Sequence, residues 1–598
     1  MEAVPELQAL FERLQVQLYG RGGGEGNRTL TENAAGAFTS TGDKCLDFFA
    51  TVVRSTSVET VLAGFLAAWN EDPEKAVKLL LNLRDIRSGK GEKKVSLVLL
   101  YALSCWKPLT YLANLQRFLQ VGCYKDLLFV AELAVRGATA ENSLQRLAQM
   151  SGDQQEPIEL KILACQLLND EAALKASDKA SISLCAKWVP TENTHFDRKP
   201  LRFSRKITKA MGLKKSEYRK RVSALRAHLT VLELLMCTGK WDEIVFKSLP
   251  AKAHRQYRKA FRREENSKKI KSDDRVALAA RYAEYLAQLT KGEVTIKSTG
   301  TQPHDLVKVY MDHRSMEVDL TIEGQWKDMI AKLAETGNFK HVQAVCDVSG
   351  SMSGTPMEVA IALGMVVAEL TAEPFHSKLI TFSANPQLHT IVGDNLRDRI
   401  NNIERMQWDM NTNLLKVFEL LLSEAEKNPQ AEMVEKLFIF SDMQFDEARG
   451  SGGHPWTTTY ETICQMFGKT KYAVPKIIFW NLRATHKSFP VQKDEIGTAL
   501  ISGFSAQMMK AFLSDETVEF GPLTIMNDAL DKYEITEIPK EERFPLTSEQ
   551  AGVSSFSLIG TIVEDFMVAK KVSKRKRREI AVGEDGDNSD EDATSESE

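Results

Sequence analysis

In the stretch CDVSGSMSG, residues 346–354, an apolar run stops on Asp347 and is followed by serines at 349, 351 and 353. Alternate residues of an extended loop point the same way, so Asp347, Ser349 and Ser351 can aim three oxygens at one point. Gly350 and Gly354 allow the tight turns this needs. Two distant positions offer matching chemistry: Thr412 in WDMNTNLL and Asp442 at the end of LFIFSD. A hard divalent cation takes about six oxygen ligands, several of them water. Asp347 and Asp442 would supply charge, and Ser349, Ser351 and Thr412 would supply neutral hydroxyls. Such a set under-neutralises Mg2+ or Mn2+ and leaves it open to an anionic group of a partner. The competing reading is an ordinary serine-rich turn. Ser353 keeps the spacing but lies outside this set and is expected to cap the following helix. Asp446 is expected to be a loop residue and not a ligand.

A second kind of chemistry is electrostatic. Between Arg198 and Arg226 the chain has twelve lysines and arginines against one acidic residue, Glu217. A further run, AKAHRQYRKAFRREENSKKIK, follows. Arg198, Lys199, Arg202, Arg205, Lys206, Lys214, Lys215, Arg219, Lys220, Arg221, Arg255, Arg258 and Lys259 are candidates for holding a phosphate backbone. The interleaved aromatics Phe203, Tyr218, Tyr257 and Phe261 could stack on bases, although core anchoring is the simpler expectation for them. The same charges could instead be a solvated helix face or a dock for an acidic protein.

The elements that must position these residues fall into two kinds. From Asp43 to about Leu289, apolar residues recur at three and four, as amphipathic helices require. Examples are ETVLAGFLAAWNED, PEKAVKLLLNLRDIR and KVSLVLLYALSCW. The paired helices suggest a HEAT-like repeat region over 35–310; a non-repeating helical bundle is the alternative. From about Gly337 the pattern changes to βα alternation. HVQAVCD, SKLITFS, QLHTIVG, EKLFIFSD and PKIIFWNL read as strands. PMEVAIALGMVVAELTA, NLRDRINNIERM, NLLKVFELLLSEAEKN, TTYETICQMFG and SAQMMKAFLS read as helices. This predicts a mostly parallel, Rossmann-type α/β sheet over 337–515, with ligands at the carboxyl ends of its strands.

The flanks read differently. Residues 1–34 are expected to be flexible, and YGRGGGEGNRT packs five glycines without the Gly-Lys-Ser/Thr of a phosphate loop. RSGKGEKK fails the same test. Residues 516–568 form an extension. The tail 569–598 joins a basic block, with five consecutive cations from Lys574 to Arg578, to an acidic serine-bearing end, and is expected to be disordered.

The chain has 598 residues, 43% hydrophobic and 27% charged, with a net charge of −3, which fits a multidomain globular protein. No run is apolar and long enough to predict a membrane span, and MEAVPELQALFERL lacks the form of a secretory leader. The 8 cysteines are scattered without a CxxC pair, which points to reduced, buried thiols inside the cell. A cytoplasmic location is expected, with a nuclear share if Lys574–Arg578 serves as an address.

D-x-S-x-S, then Thr-Asn-Leu, then Ser-Asp at a strand end resembles a von Willebrand factor A domain with its metal-ion-dependent adhesion site. Asp347, Ser349, Ser351, Thr412 and Asp442 match all five positions. A wider resemblance runs from about Thr31 to Leu513. TENAAGAFTSTGDKCLDFF, LNLRDIRSGKG, GCYKDLL, CAKWVPTENTHFD, TGKWDEIVFKSLPAKAHRQYRKAF, QPHDLV and FSDMQFDEA are similar to the domain of unknown function 2828 family. That resemblance implies a Ro autoantigen-like architecture, a helical-repeat ring followed by a von Willebrand factor A-like domain. It also implies non-coding RNA as a partner. No RNA-contact residue of the Ro type matches position by position.

Three functions compete. The first is a non-enzymatic RNA-binding ribonucleoprotein scaffold. The second is a protein–protein adaptor whose cation ligates a partner's carboxylate. The third, an enzyme, gains little, because SGFSA around Ser505 is not a nucleophile elbow and no His or Lys base accompanies the hydroxyl-rich site.

Overall fold

The computed structural model describes residues 27–137, 156–265, 270–312, 317–335, 339, 341–382, 386–405, 413–427, 433–446, 459–484, 488–512 and 520–545. Thr412, most of the glycine-rich stretch and the tail 569–598 with its basic block lie outside these residues.

The helical region is as its periodicity predicts. It opens with α1 (Lys44–Thr51), α2 (Val58–Glu71), α3 (Pro73–Arg84), α4 (Lys93–Trp106), α5 (Pro108–Val121), α6 (Tyr124–Gly137) and α7 (Ile158–Lys175). The boundaries have local causes. Asp43, Ser57 and Asp72 accept the backbone N–H groups of Leu46, Thr60 and Lys75 as N-caps. Pro73 and Pro108 sit at the first turns, where no amide donor is needed. Then follow α8 (Cys185–Trp188), α9 (Phe203–Ala210), α10 (Lys215–His228), α11 (Leu232–Cys237), α12 (Ala251–Phe261), α13 (Asp273–Lys291), α14 (Pro303–Asp312) and α15 (Leu320–Ala334).

The α/β part comprises β3 (Val342–Cys346), α16 (Thr355–Leu370), β4 (Lys378–Thr381), β5 (Leu388–Thr390), α17 (Leu396–Glu404), α18 (Leu414–Lys427), β6 (Lys436–Ser441), α19 (Thr459–Phe467), β7 (Lys476–Asn481), β8 (Thr498–Ser502) and α20 (Pro522–Asp531). The strands form one six-stranded sheet in the order β5-β4-β3-β6-β7-β8. Every pairing is parallel except β4 with β5. Near-continuous apolar burial along β3, β6 and β8 is what a parallel sheet covered by other elements demands.

Three expectations need correction. TALIS, residues 498–502, is a strand that the periodicity reading passed over; it is short and has no polar alternation. SAQMMKAFLS yields a 3-10 segment, Ala506–Phe512, in place of an α-helix. The stretch before Ala35, expected to be flexible, contains β1 (Arg28–Leu30), which pairs with β2 (Gly36–Phe38).

The two parts share one core. A continuous set of buried side chains runs from Ala35 and Phe38 through Trp69, Tyr111 and Phe203 to Val345, Phe440 and Trp480. α1 and α20 both pack on β8. Lys90, from the dismissed RSGKGEKK stretch, is buried in this seam. Its ammonium bonds the Phe49 carbonyl of α1, the Val52 carbonyl just beyond the helix and the Ser502 hydroxyl at 2.6 Å. Burial pulls its pKa down to about 7. A second, smaller core gathers Ile244, Phe246, Phe261, Leu278 and Tyr282. The eight cysteines are all unpaired, with Cys45, Cys185 and Cys346 buried but Cys165 and Cys237 exposed.

Candidate metal centre and basic surface

Register alone brings the two acidic ends together. Cys346 of β3 lies opposite Phe440 of β6, so the next residues, Asp347 and then Ser441 and Asp442, leave adjacent parallel strands at the same edge. The Asp347 N–H continues the ladder by donating to the Phe440 carbonyl at 2.9 Å. Asp347 is 0% exposed and Asp442 1% exposed.

Asp347 Oδ1 accepts from the Ser349 N–H at 2.9 Å and Oδ2 from the Ser441 hydroxyl at 2.7 Å. The Ser349 and Ser351 hydroxyls lie 3.0 Å apart. Asp442 Oδ1 accepts from the Gln444 N–H at 3.2 Å, whereas Asp442 Oδ2 is buried with no hydrogen-bond partner. Burial first, and then the charge of Asp442, raise the Asp347 carboxyl above its ordinary range; the Ser349 and Ser441 bonds pull it back. No ion pair joins either carboxylate to a Lys, Arg or His among the described residues.

Two buried like charges and an orphaned carboxylate oxygen are costly without a counter-charge. A hard cation would supply one, and the oxygen-only donor set is the set such an ion takes. The donor chemistry is of the kind a divalent cation takes, and Asp347, Ser349, Ser351 and Asp442 are the residues that could hold one. Among the described residues there is no group of three or more His, Cys, Asp or Glu that could hold a metal ion, here or elsewhere. Of the five expected ligands, Thr412 is outside the described residues. The next residue, Asn413, accepts the Lys416 N–H at 3.2 Å and so caps α18.

The loop departs from expectation at Ser353. Its hydroxyl turns back to the Gly350 carbonyl at 2.7 Å and does not cap α16. The cap position belongs to Gly354, whose φ of 86° suits a residue without a side chain. Asp446 is a loop residue in a bridge to Ala34. Ser441 and Gln444 were missed by sequence reading. The signal for Ser441 was present, since it directly precedes Asp442 at a strand end.

The basic candidates divide. Arg198, Lys199 and Arg205 are exposed and Arg202 half-exposed, and none of the four forms an ion pair among the described residues. Lys206 is half-buried, its ammonium 6.0 Å from the Phe203 ring, and burial lowers its pKa. Lys214, Lys215, Arg219, Lys220 and Lys259 are exposed. Lys215 and Arg219 share Glu192, at 3.3 and 4.0 Å. Three guanidinium groups are already matched: Arg221 to Glu171 at 2.7 Å, Arg255 to Asp305 at 3.1 Å and Arg258 to Asp319 at 2.6 Å. The interleaved aromatics are anchors, with Phe203, Tyr218 and Phe261 buried and Tyr257 half-buried.

One basic feature lay outside the runs. Half-buried Trp188 has the ammonium groups of Lys125 and Lys187 at 5.3 and 5.5 Å from its ring. Lys125 also lies 5.6 Å from Phe129, which packs on Phe196, two residues before Arg198.

A helical body fused to a mixed α/β sheet, with paired carboxylates at a strand-end edge, defines the class of the molecule. The family described as domain of unknown function DUF2828 matches residues 31–161 and 159–339. An uncharacterized protein of Acanthamoeba polyphaga mimivirus is 39% identical over 520 residues, covering 86% of this chain and 89% of that protein. The chain therefore belongs to the DUF2828 family. A second family, domain of unknown function DUF7788, matches residues 341–555. Among solved structures, the Ro (RSR) protein of Deinococcus radiodurans is similar at 12% identity and a TM-score of 0.28, over 80% of this chain and 91% of that one. Among the described residues, no helix is long and apolar enough to cross a membrane.

Proposed function

We propose that the protein is a non-enzymatic, metal-dependent binding scaffold. The α/β part acts as a von Willebrand factor A-like unit that holds Mg2+ or Mn2+ at Asp347, Ser349, Ser351 and Asp442, with Thr412 as the fifth residue of the motif. The observation that carries this reading is the buried, unpartnered Oδ2 of Asp442 beside the buried Asp347. A bound cation would supply positive charge for an acidic ligand. The chain's own residues orient it: Ser441 and the Ser349 amide fix Asp347, and the Gln444 amide fixes Asp442. Ser351 is exposed, so a partner's Asp or Glu would approach the cation from that side of the loop.

A second binding activity is favoured by a separate observation. Arg198, Lys199, Arg202 and Arg205 form a basic stretch without carboxylate partners among the described residues. Free guanidinium and ammonium groups suit the phosphates of non-coding RNA, the partner that a Ro-like order of helical body and α/β unit suggests. The two activities are compatible in one ribonucleoprotein component.

The test is recovery of protein and RNA with the tagged full chain from cells, comparing wild type with Asp347→Ala. Loss of specific protein partners with RNA yield retained supports a metal-dependent scaffold with two separate surfaces. Unchanged partner recovery contradicts the metal-dependent part, and RNA no higher than a charge-matched control contradicts the second.

A further inference from the structure

We infer that the N-terminal segment Thr31–Ala35 is a strap that positions the Asp442 carboxylate for the cation; this rests on reading the site as a divalent-cation centre. The strap and the loop Ser441–Asp446 are more than 400 positions apart in sequence, yet they meet residue for residue. The Thr31 hydroxyl donates to the Phe445 carbonyl at 2.8 Å. The Glu32 N–H donates to Gln444 Oε1 at 2.7 Å, and the Asn33 amide donates to the Gln444 carbonyl at 2.9 Å. Ala34 bridges to Asp446. Three consecutive residues beyond the candidate ligand are thus held from outside their own strand.

The loop needs such support. Met443, directly after Asp442, has a φ of 67°, a left-handed conformation that disfavours a residue with a side chain. Inside the loop, the Met443 N–H donates to the Ser441 hydroxyl at 3.1 Å and the Gln444 N–H to Asp442 Oδ1 at 3.2 Å. Gln444 is therefore the joint: its backbone turns the carboxylate, and its side chain and carbonyl are gripped by the strap. With Oδ1 held by Gln444, Oδ2 is the oxygen left over. Groups that orient a ligand through its other hydrogen bonds typically change metal affinity by about 10- to 100-fold when lost.

The strap is itself pre-formed and anchored at its far end. Thr31 and Ala35 close a turn, with the Thr31 N–H donating to the Ala35 carbonyl at 2.8 Å and the Ala35 N–H to the Thr31 hydroxyl at 2.9 Å. Phe38 and Phe489 exchange two backbone bonds of 2.8 Å. Ser40 and Thr41 then bind the buried Asp47 carboxylate of α1, at 2.6 and 2.7 Å. The strap thus ties the helical body to the loop that carries Asp442. Linkage requires the reciprocal effect: a cation that favours the held loop must also favour the docked strap.

The experiment uses the full chain and Mn2+, with free ion counted by electron paramagnetic resonance, and Mg2+ for amide exchange read by mass spectrometry. Thr31→Val and Asn33→Ala are expected to raise the Mn2+ dissociation constant about tenfold or more, while Thr31→Ser, which keeps the hydroxyl, stays near wild type. Saturating Mg2+ is expected to slow exchange across residues 31–38 in wild type but not in Asp442→Asn. Wild-type affinity in both strap variants, or exchange unaffected by Mg2+ in a wild-type chain that binds Mn2+, overturns the strap and leaves the cation site standing. Failure of the wild-type chain to bind Mn2+ removes the site and the strap together.

Discussion

The Ser441 hydroxyl donates to Asp347 Oδ2 at 2.7 Å, across the seam between β3 and β6. That bond joins the two halves of the candidate centre, because Ser441 directly precedes Asp442. It also explains how one buried carboxylate is held while its neighbour keeps an oxygen free. Ser441→Ala is expected to weaken Mn2+ binding several-fold while leaving the fold intact, since a small buried side chain is removed without a large cavity. Titration with Mn2+ checks this; unchanged affinity would separate Ser441 from the site.

The helix behind the loop has no spare room. A Cβ on Gly364 of α16 would stand 2.4 Å from Cys346 Sγ and 2.8 Å from Leu379 Cδ1. Gly364→Ala must displace the Cys346 and Leu379 side chains or α16 itself, and overpacking of this kind costs about 1–3 kcal/mol. Urea unfolding should show a lower midpoint. A midpoint at the wild-type value would contradict tight packing of α16 on β3 and β4 at this position.

His254 gives the second core a pH dependence. It is buried among Phe246, Phe261, Tyr282 and Tyr285, and burial takes its pKa from 6.5 down to about 4. Above pH 6.5 both the folded and unfolded chains carry it neutral. Between 6.5 and 4 the unfolded chain takes up a proton that the native chain refuses, so stability falls as pH falls. The full loss is about 3 kcal/mol. His254→Phe should flatten this part of the pH profile; identical profiles for the two chains would contradict the assignment.

The basic surface makes a distinction that charge counting does not. Arg198 and Arg205 have no carboxylate partner among the described residues, whereas Arg258 is held by Asp319 at 2.6 Å. Replacing Arg198 and Arg205 with Gln should weaken single-stranded RNA binding and reduce its salt slope by about 0.7 for each lost cation. Arg258→Gln should instead lower thermal stability, because Asp319 loses the closer of its two arginine partners and keeps only Arg262 at 3.1 Å. Filter binding across a salt series, beside thermal unfolding, checks both. An unchanged slope in the double variant removes these residues from the RNA surface.

Much of this was legible in the sequence because it is written in periodicity. The three-and-four spacing of ETVLAGFLAAWNED and the βα alternation after Gly337 marked most of the helices and five of the strands that form the sheet, but not the helices Leu320–Ala334 and Pro522–Asp531. The convergence of Asp347 and Asp442 followed from strand ends alone, because a parallel sheet delivers them to one edge. What was not legible depended on partners distant in the chain. β8 carries only TALIS and is defined by pairing with β7, not by its own pattern. Lys90 lies in a stretch that resembles a failed phosphate loop, and its acceptors, Phe49 on α1 and Ser502 on β8, are distant in the chain. The Thr31–Ala35 strap has meaning only once Gln444 and Phe445 are beside it. Arg221, Arg255 and Arg258 resemble free charges in sequence, since their acidic partners are 50, 50 and 61 positions away.

The central claim is that Asp347 and Asp442 together hold one divalent cation. Its most direct test is the number of Mn2+ ions bound per purified full-length chain, compared with the Asp347→Asn/Asp442→Asn double variant at matched folded fraction. One ion per wild-type chain, displaced by Mg2+, is expected, and none in the double variant. No bound ion in the wild type, or equal binding in the double variant, would contradict it.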